Sequence, residues 1–241
     1  MMNTLIHLRR LPLFGTLAAT LFVAACSGGN EEPDLELQLI TAGRAAIAAK
    51  TAPQATRPPL TRAALDTVVG SFTEVILERR DQLAYVSVNG QRRDDGPGVI
   101  TTWRTEDNIT LSMRNGVLIS TRGLGGDILS STVQVTGDRP GPSQGGERIY
   151  YIRALENKTQ RLALACDLVD LGPETIEIVE LRTDTRRLRE TCTGGLAADG
   201  SGEIGEVTND YWVDSRNGLV VQSRQWAGPF IGYLRLRRLT Y

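Results

Sequence analysis

The chain has 241 residues, a formal net charge of −1, 41% hydrophobic residues and one histidine, His7. A nearly neutral chain of mixed charge gives no electrostatic case for binding nucleic acid. His7 precedes an uncharged apolar run, and this whole segment has the composition of a cleavable secretory signal. The mature protein would then lack histidine, which excludes Ser-His-Asp and Cys-His catalysis and histidine-ligated metal. The sequence predicts no cofactor and no metal site.

The first 25 residues have the regions of a secretory signal peptide. Arg9 and Arg10 supply a basic start, residues 11–25 are uncharged and largely apolar, and Cys26 follows two alanines. The run LFVAAC that ends at Cys26 resembles a bacterial lipobox, in which the cysteine becomes the lipid-bearing N-terminus. We therefore predict cleavage before Cys26 and its lipidation. The alternatives are a transmembrane anchor and an ordinary secreted cysteine, but the apolar run is shorter than the roughly 20 residues that span a bilayer.

The chain after the signal peptide divides into three predicted parts. We predict a lipidated tether at 26–34, an N-terminal helical segment at 35–70 and a β-rich domain at 71–241. Residues 35–50 have apolar side chains at helical spacing, and Thr61 is suited to cap a second short helix. Packing of both helices against the sheet is the simpler interpretation, and a movable cover over a cavity is the alternative.

Two cysteines remain after Cys26 is assigned to the lipid. In an exported protein, an even pair favours a disulfide, here Cys166 with Cys192. A metal site would need further ligands, and a thiol nucleophile would need a base; histidine is absent for both roles. Closing this loop would contribute about 3 kcal/mol on the chain-entropy model.

From residue 71 onward, short β-type segments follow one another with tight connections. Three Asn-Gly pairs lie among them, at Asn89, Asn115 and Asn217, and this dipeptide is the strongest short hairpin signal. The fold class predicted is mainly β: an antiparallel meander forming a barrel-like or sandwich domain, with one or two short N-terminal helices. The predicted strands are 72–78, 82–88, 99–104, 109–113, 117–121, 133–136, 148–155, 161–166, 175–181, 186–192, 211–213, 219–226 and 233–239.

Catalytic patterns are weak in this sequence. Neither Lys50 nor Lys158 has a serine three residues before it, so the S-x-x-K pattern of a Ser-Lys dyad is absent. Paired carboxylates could cleave glycosides, although acids in these settings are usually surface charges. The candidates are Asp167, Asp170, Glu174, Glu177 and Glu180, or Asp210 with Asp214.

Three tryptophans lie in strand-like segments, and tryptophan serves both as core filler and as a sugar-stacking residue. Core packing is the simpler interpretation of Trp103, Trp212 and Trp226. As candidate glycan contacts we take Trp212, Trp226 and the neighbouring Arg224.

The C-terminal part of the chain resembles a known family. The residues that carry the likeness are NDYWVD at 209–214, Gly218, QSRQW at 222–226 and GYL at 232–234. This pattern resembles the YjbF/GfcB family, the group 4 capsule polysaccharide lipoproteins, over about residues 60–239. The resemblance implies a β-rich, barrel-like outer-membrane lipoprotein that faces the periplasm. It also implies a role in capsule or exopolysaccharide production; it carries over no catalytic residues.

Three functional hypotheses follow. The first is a non-enzymatic lipoprotein, held to the membrane by its lipid, that assists polysaccharide assembly or export by contacting glycan or export-system proteins. The second is a periplasmic carrier of an apolar ligand in a barrel cavity, and the third is a two-carboxylate glycan hydrolase. A large apolar cavity would favour the carrier, a polar groove with two carboxylates would favour the hydrolase, and a polar surface with buried tryptophans would favour the first hypothesis.

Overall fold

The computed structural model describes residues 59–137, 139–154, 158–195 and 205–241. The predicted signal peptide, Cys26, the tether and the helix predicted at 35–50 lie outside the described residues. In the part of the chain that is described, no helix is long and apolar enough to cross a membrane.

Twelve antiparallel strands form one sheet that curls into a nearly closed barrel. Each strand pairs with the next in sequence except β5 with β6, and β1 pairs with β12. The first and last strands therefore close the sheet, and its break falls between β5 and β6. The predicted antiparallel meander is confirmed, in its barrel form. The strands are Phe72–Leu77 (β1), Gln82–Arg92 (β2), Ile100–Arg104 (β3), Thr110–Arg114 (β4), Val117–Arg122 (β5), Ile128–Ser131 (β6), Gly146–Arg153 (β7), Thr159–Ile178 (β8), Leu181–Gly194 (β9), Val207–Asp214 (β10), Val220–Trp226 (β11) and Tyr233–Arg238 (β12).

The break between β5 and β6 is bridged by side chains rather than by a backbone ladder. Gln225 Oε1 accepts a hydrogen bond from the Leu118 amide at 2.8 Å, and Arg148 Nη2 donates to the Leu118 carbonyl at 3.1 Å. Thr121 Oγ1 accepts from the Ile128 amide at 3.1 Å. An unpaired strand edge is a liability because its free amides and carbonyls invite pairing with other chains. In this barrel, side chains satisfy part of that edge.

Alternating residues divide each strand between the barrel interior and its outer face. In β12, Leu234 and Leu236 are buried in the core, while Arg235 and Arg237, which alternate with them, face outward. The interior is filled by apolar side chains from nearly every strand. The buried side chains of this core include Val75, Leu77, Val86, Trp103, Leu111, Leu118, Ile128, Tyr150, Ile152, Leu162, Leu164, Trp226, Leu234 and Leu236.

The hairpin predicted at Asn115 is present between β4 and β5. Asn115 and Gly116 have φ values of 49° and 85°, the positive φ pair that a type I′ turn requires. A Cβ at Gly116 would also lie 2.6 Å from Val220 Cγ2, so the close approach of β11 needs glycine as well. Asn217 likewise lies in the turn between β10 and β11, as predicted.

Three local predictions are wrong. The Asn89-Gly90 pair lies within β2, where the register shifts between Val88 and Gly90 and forms a bulge instead of a turn. The segment 133–136 is not a strand; β6 ends at Ser131 instead. The strands predicted at 161–166 and 175–181 are one strand, β8, because a bulge at Gly172, with φ of 90°, keeps β8 paired with β9.

A second, smaller apolar cluster fastens the tip of the long β8–β9 hairpin. Ile178 packs with Leu65 and Leu239. The Arg62 guanidinium donates to the carbonyls of Ile178 at 3.2 Å and Leu239 at 3.0 Å. Arg62 begins the short helix α1 (Arg62–Leu65), and Thr61 caps this helix by accepting a hydrogen bond from Ala64 N, as predicted.

Cys166 and Cys192 form a disulfide between directly opposed residues of β8 and β9. Both cysteines are buried in the core. Their sulfurs are bonded to each other, so neither is a free thiol available as nucleophile or metal ligand. The predicted pairing is therefore present in the fold.

Replacing both cysteines with serine, C166S/C192S, should lower the free energy of unfolding by about 3 kcal/mol, because the unfolded chain loses its cross-link. Urea unfolding of the oxidised protein and of the variant would measure this difference. The unfolding midpoint of the wild type in reductant should approach that of the variant. Equal midpoints for oxidised and reduced wild type would contradict the expectation.

Candidate functional site

Strands β10 and β11 carry the segments 209–214 and 222–226 that resemble the family, and they present different residues to the two sides of the barrel wall. Asn209, Tyr211 and Gln225 are buried and point inward. Asp210 and Arg224, which are paired across the two strands, lie on the outer face. Because successive side chains alternate between faces, one short sequence supplies both a buried network and an outer surface.

The inner network surrounds one buried carboxylate, Glu190 of β9. Arg148 of β7 forms a salt bridge with it, and both side chains are nearly inaccessible. Asn209 Nδ2 donates to Glu190 Oε2 at 2.8 Å, and Tyr211 Oη donates to the same oxygen at 3.4 Å. Burial raises the pKa of Tyr211, so its phenol stays protonated and able to donate at neutral pH. The buried charge is thus paired and hydrogen-bonded, as a stable interior requires.

The side-chain amides of Asn209 and Gln225 form hydrogen bonds with the backbone of other strands. Asn209 Oδ1 accepts from the Trp226 amide at 2.7 Å. Gln225 Nε2 donates to the Gly116 carbonyl at 2.8 Å, while its oxygen accepts from the Leu118 amide. Gln225 therefore reaches from β11 to the unpaired edge of β5 and holds the barrel wall together there.

On the outer face, the ladder register aligns basic and aromatic side chains in two cross-strand rows. One row runs through Arg189, Asp210, Arg224 and Arg235, and the next runs through Arg187, Trp212, Gln222 and Arg237. Asp210 accepts from Arg189 Nε at 2.9 Å and from Arg187 Nε at 3.3 Å. Burial opposes ionisation of Asp210, but these two guanidinium groups prevail and hold its pKa below the usual range.

A groove of about 290 Å³ runs along the outer face of β10, β11 and β12. We call it the arginine groove; its lining residues are Ile76, Trp212, Gln222, Ser223, Arg224, Arg235 and Arg237. Glu78 accepts from Arg224 Nη2 at 2.8 Å and from Arg224 Nε at 3.0 Å. Glu74 accepts from Arg237 Nε at 2.7 Å. These carboxylates hold two of the three arginines in place.

The three candidate glycan contacts have different positions. Arg224 and Trp212 both line the arginine groove, although Trp212 is only 9% exposed and the Arg187 guanidinium lies 4.8 Å from its ring centroid. Trp226 is buried in the core, where it packs edge-on against Tyr150 with ring centroids 5.2 Å apart. Trp226 is therefore not brought together with the other two.

The sequence did not single out Arg235 and Arg237, which the fold adds to the groove. The available signal was the alternation of leucine and arginine in β12, which indicates an arginine-bearing outer face. Which strands would lie beside that face could not be read from local pattern, because Arg235 meets Arg224 only through the β11–β12 ladder.

Several carboxylates considered for glycan hydrolysis form ion pairs. Asp170 pairs with Arg186, Glu174 with Arg187, and Asp210 with two arginines. The Arg186 side chain lowers the pKa of Asp170. Asp214 is buried and accepts a hydrogen bond from the Arg216 amide in its own turn. Asp167, Glu177 and Glu180 are exposed.

Other depressions in the described part of the barrel include two that are larger than the arginine groove. One, of about 320 Å³, opens beside Arg80 and Asp107, and its apolar walls include Val75, Leu111 and Leu234. Those three side chains are at most 2% exposed, but Leu83 in the same lining is 39% exposed, so some apolar surface is open there. The other, of about 780 Å³, has the Asp170–Arg186 pair on one side and Pro140 on another.

Breaking the inner ion pair should be costly. Glu190→Gln would leave the Arg148 charge buried without its carboxylate, which typically costs about 3 to 5 kcal/mol. Urea unfolding followed by tryptophan fluorescence would measure the loss. Asp170→Asn, at an exposed pair, is the matched control and should change stability by at most about 1 kcal/mol. Similar effects for the two variants would contradict the structural role of Glu190.

The pairing of Asp210 predicts a pH-dependent contribution to stability. Because its folded pKa lies below its unfolded value of about 4, the contribution is present above that value and is lost as the pH falls through the folded pKa. The difference in unfolding midpoint between wild type and Asp210→Asn should therefore be largest near neutral pH and shrink as the pH falls below the unfolded value of about 4. A difference that stays constant with pH would contradict this assignment.

Comparison with known proteins agrees with the fold and with the motif. The crystal structure of the hypothetical lipoprotein YmcC from Escherichia coli K12 is similar, with a TM-score of 0.61 and 20% sequence identity, over 84% of this chain and 96% of that chain. At this identity the likeness establishes the fold alone. No curated protein matches the chain. A family model described as group 4 capsule polysaccharide lipoprotein gfcB, YjbF matches residues 34–239. The chain therefore belongs to the YjbF family of group 4 capsule polysaccharide lipoproteins.

Proposed function

We propose that this protein is a non-enzymatic outer-membrane lipoprotein that assists the assembly or export of a capsule or secreted polysaccharide. Its family is one of capsule polysaccharide lipoproteins, which supports both the polysaccharide and the lipid anchor. The lipobox-like run ending at Cys26 supplies the attachment point, and Ser27 follows it where an aspartate would favour inner-membrane retention. The barrel then faces the periplasm, where polysaccharide and export-system proteins are its partners.

The observation that carries the proposal is the arginine groove. Recognition of sugars needs fixed polar donors beside an apolar wall, because a sugar ring presents both hydroxyls and C–H faces. Arg224 and Arg237 are held rigidly by carboxylates, and Trp212 with Ile76 supplies the apolar wall. Pre-organised donors bind with less loss of side-chain entropy than mobile ones.

Two features support a binding role over catalysis or transport of an apolar ligand. Asp170 and Asp210 have lowered pKa values, whereas a glycosidase needs a carboxyl with a raised pKa as its general acid. A carrier needs a roomy apolar cavity, whereas the depression walled by core side chains such as Val75 and Leu111 has about 320 Å³, at the lower end of the range for ligand pockets.

Deleting the gene should lower the amount of polysaccharide at the cell surface or in the medium. Complementation with the wild type should restore it, whereas Arg224→Gln should restore only a minor fraction because the groove loses a fixed donor. Polysaccharide is measured by uronic acid or total sugar assay on washed cells and medium. Glu78 keeps a partner in this variant, since Arg235 Nε lies 3.4 Å from Glu78 Oε1.

Arg104→Gln is the matched control, because Arg104 is an exposed arginine of β3 outside the groove. It should complement as well as the wild type. Cys26→Ser should abolish acyl labelling and membrane retention, which tests the anchor. An unchanged polysaccharide yield in the deletion strain would refute the proposed role, and full restoration by Arg224→Gln would refute the role of the groove.

A further inference from the structure

The arginine groove presents more positive than negative charge to a ligand. Three of its lining residues are arginines, and no carboxylate is among the lining residues in the described part of the chain. The two nearby acids lie beside it: Glu74 is 5% exposed, and the Glu78 side chain is 26% exposed. With two acids for three arginines, one guanidinium charge is left without an equivalent counter-charge.

The hydrogen bonds identify the arginine whose charge lacks an equivalent counter-charge. Glu78 already accepts from both Nε and Nη2 of Arg224. Glu74 accepts from Arg237. Both carboxylates are therefore committed to arginines that they fix in position.

Arg235 is the remaining guanidinium. Its side chain is 53% exposed, and its Nε lies 3.4 Å from Glu78 Oε1, at the long end of an ion pair. A guanidinium presents donors in a planar fork, which matches the two oxygens of a carboxylate or phosphate. Arg235 is thus placed to take an anionic group that enters the groove.

The neighbouring wall suits the sugar ring to which such a group would be attached. Trp212 lines the same groove and is nine-tenths buried, and its Nε1 has no hydrogen-bond partner among the described residues. Because that nitrogen is itself buried, the indole contributes ring surface, rather than a hydrogen-bond donor, to the groove wall. The Arg235 guanidinium and the Trp212 ring together fit a negatively charged sugar better than a neutral one.

We infer that the arginine groove selects acidic glycan, a polymer whose repeating unit carries a carboxylate or a phosphate, and that Arg235 binds this anionic group. The inference rests on the proposed function and narrows it to a substrate class. Arg224 and Arg237 supply hydrogen-bond donors that carboxylates hold in place, whereas Arg235 binds the anionic group of the ligand.

The test uses the full-length lipoprotein in detergent micelles and polysaccharide purified from the producing bacterium. The polymer is compared in three forms: native, with its carboxylates chemically reduced, and with its phosphates removed by hydrofluoric acid. Isothermal titration calorimetry or biolayer interferometry measures the dissociation constant of each. Wild type should bind one of the two neutralised forms about tenfold more weakly than the native polymer, which identifies the anion as carboxylate or phosphate.

Arg235→Gln should lose a similar factor on the native polymer and almost nothing further on the neutralised form, because the variant and the chemical treatment remove the same contact. Arg104→Gln should bind all forms as the wild type does, and thermal unfolding should confirm that both variants fold.

Three outcomes are decisive. Equal binding of native and neutralised polymers by the wild type would overturn the charge selection and leave the proposed function standing. An equal loss by Arg235→Gln on native and neutralised polymer would overturn the role of Arg235. Absence of binding to every form would overturn the proposed glycan contact itself, and the inference with it.

Discussion

The arrangement of this barrel depends on the interactions of one buried carboxylate, that of Glu190. It lies on β9 and receives Arg148 from β7 and Asn209 and Tyr211 from β10. Arg148 also donates to the Leu118 carbonyl on β5, across the break in the sheet. A charge taken out of water is tolerated only where such partners surround it, and the resulting network joins four strands: β5, β7, β9 and β10. The observed register of those strands brings the members of this network together, so the network favours that register.

That register determines the outer face. A slip of one residue in β10 would turn Asp210 inward and Asn209 outward, because side chains alternate along a strand. The same pairing that brings Asn209 to Glu190 therefore sets Asp210 opposite Arg189 on the outside. The inner network and the arginine groove are in this sense two consequences of one alignment, and the NDYW segment contributes to both.

Local chemistry could be predicted from the sequence, and long-range pairing could not. The Asn115-Gly116 hairpin was predictable since the dipeptide by itself adopts the required positive φ values. The disulfide followed from counting cysteines in a chain predicted to be exported. Asn89-Gly90 has the same dipeptide but lies in a bulge, which depends on its pairing with β3. Trp212 and Trp226 are equivalent by sequence pattern, yet one lines a groove and the other packs on Tyr150, because their neighbours come from distant strands.

The groove itself is assembled from the two ends of the domain. Glu74 lies on β1, Glu78 in the turn that follows, and their arginine partners lie on β11 and β12, 146 to 163 residues later in the chain. Those partners meet only when β1 pairs with β12 and closes the sheet. Pairing of β1 with β12 is thus the condition for a pre-organised groove, because without it the arginines of β11 and β12 would lie side by side but lack their carboxylate partners. Because the groove's ion pairs are separate from the network around Glu190, a substitution in the groove can remove a guanidinium while the inner network preserves the barrel.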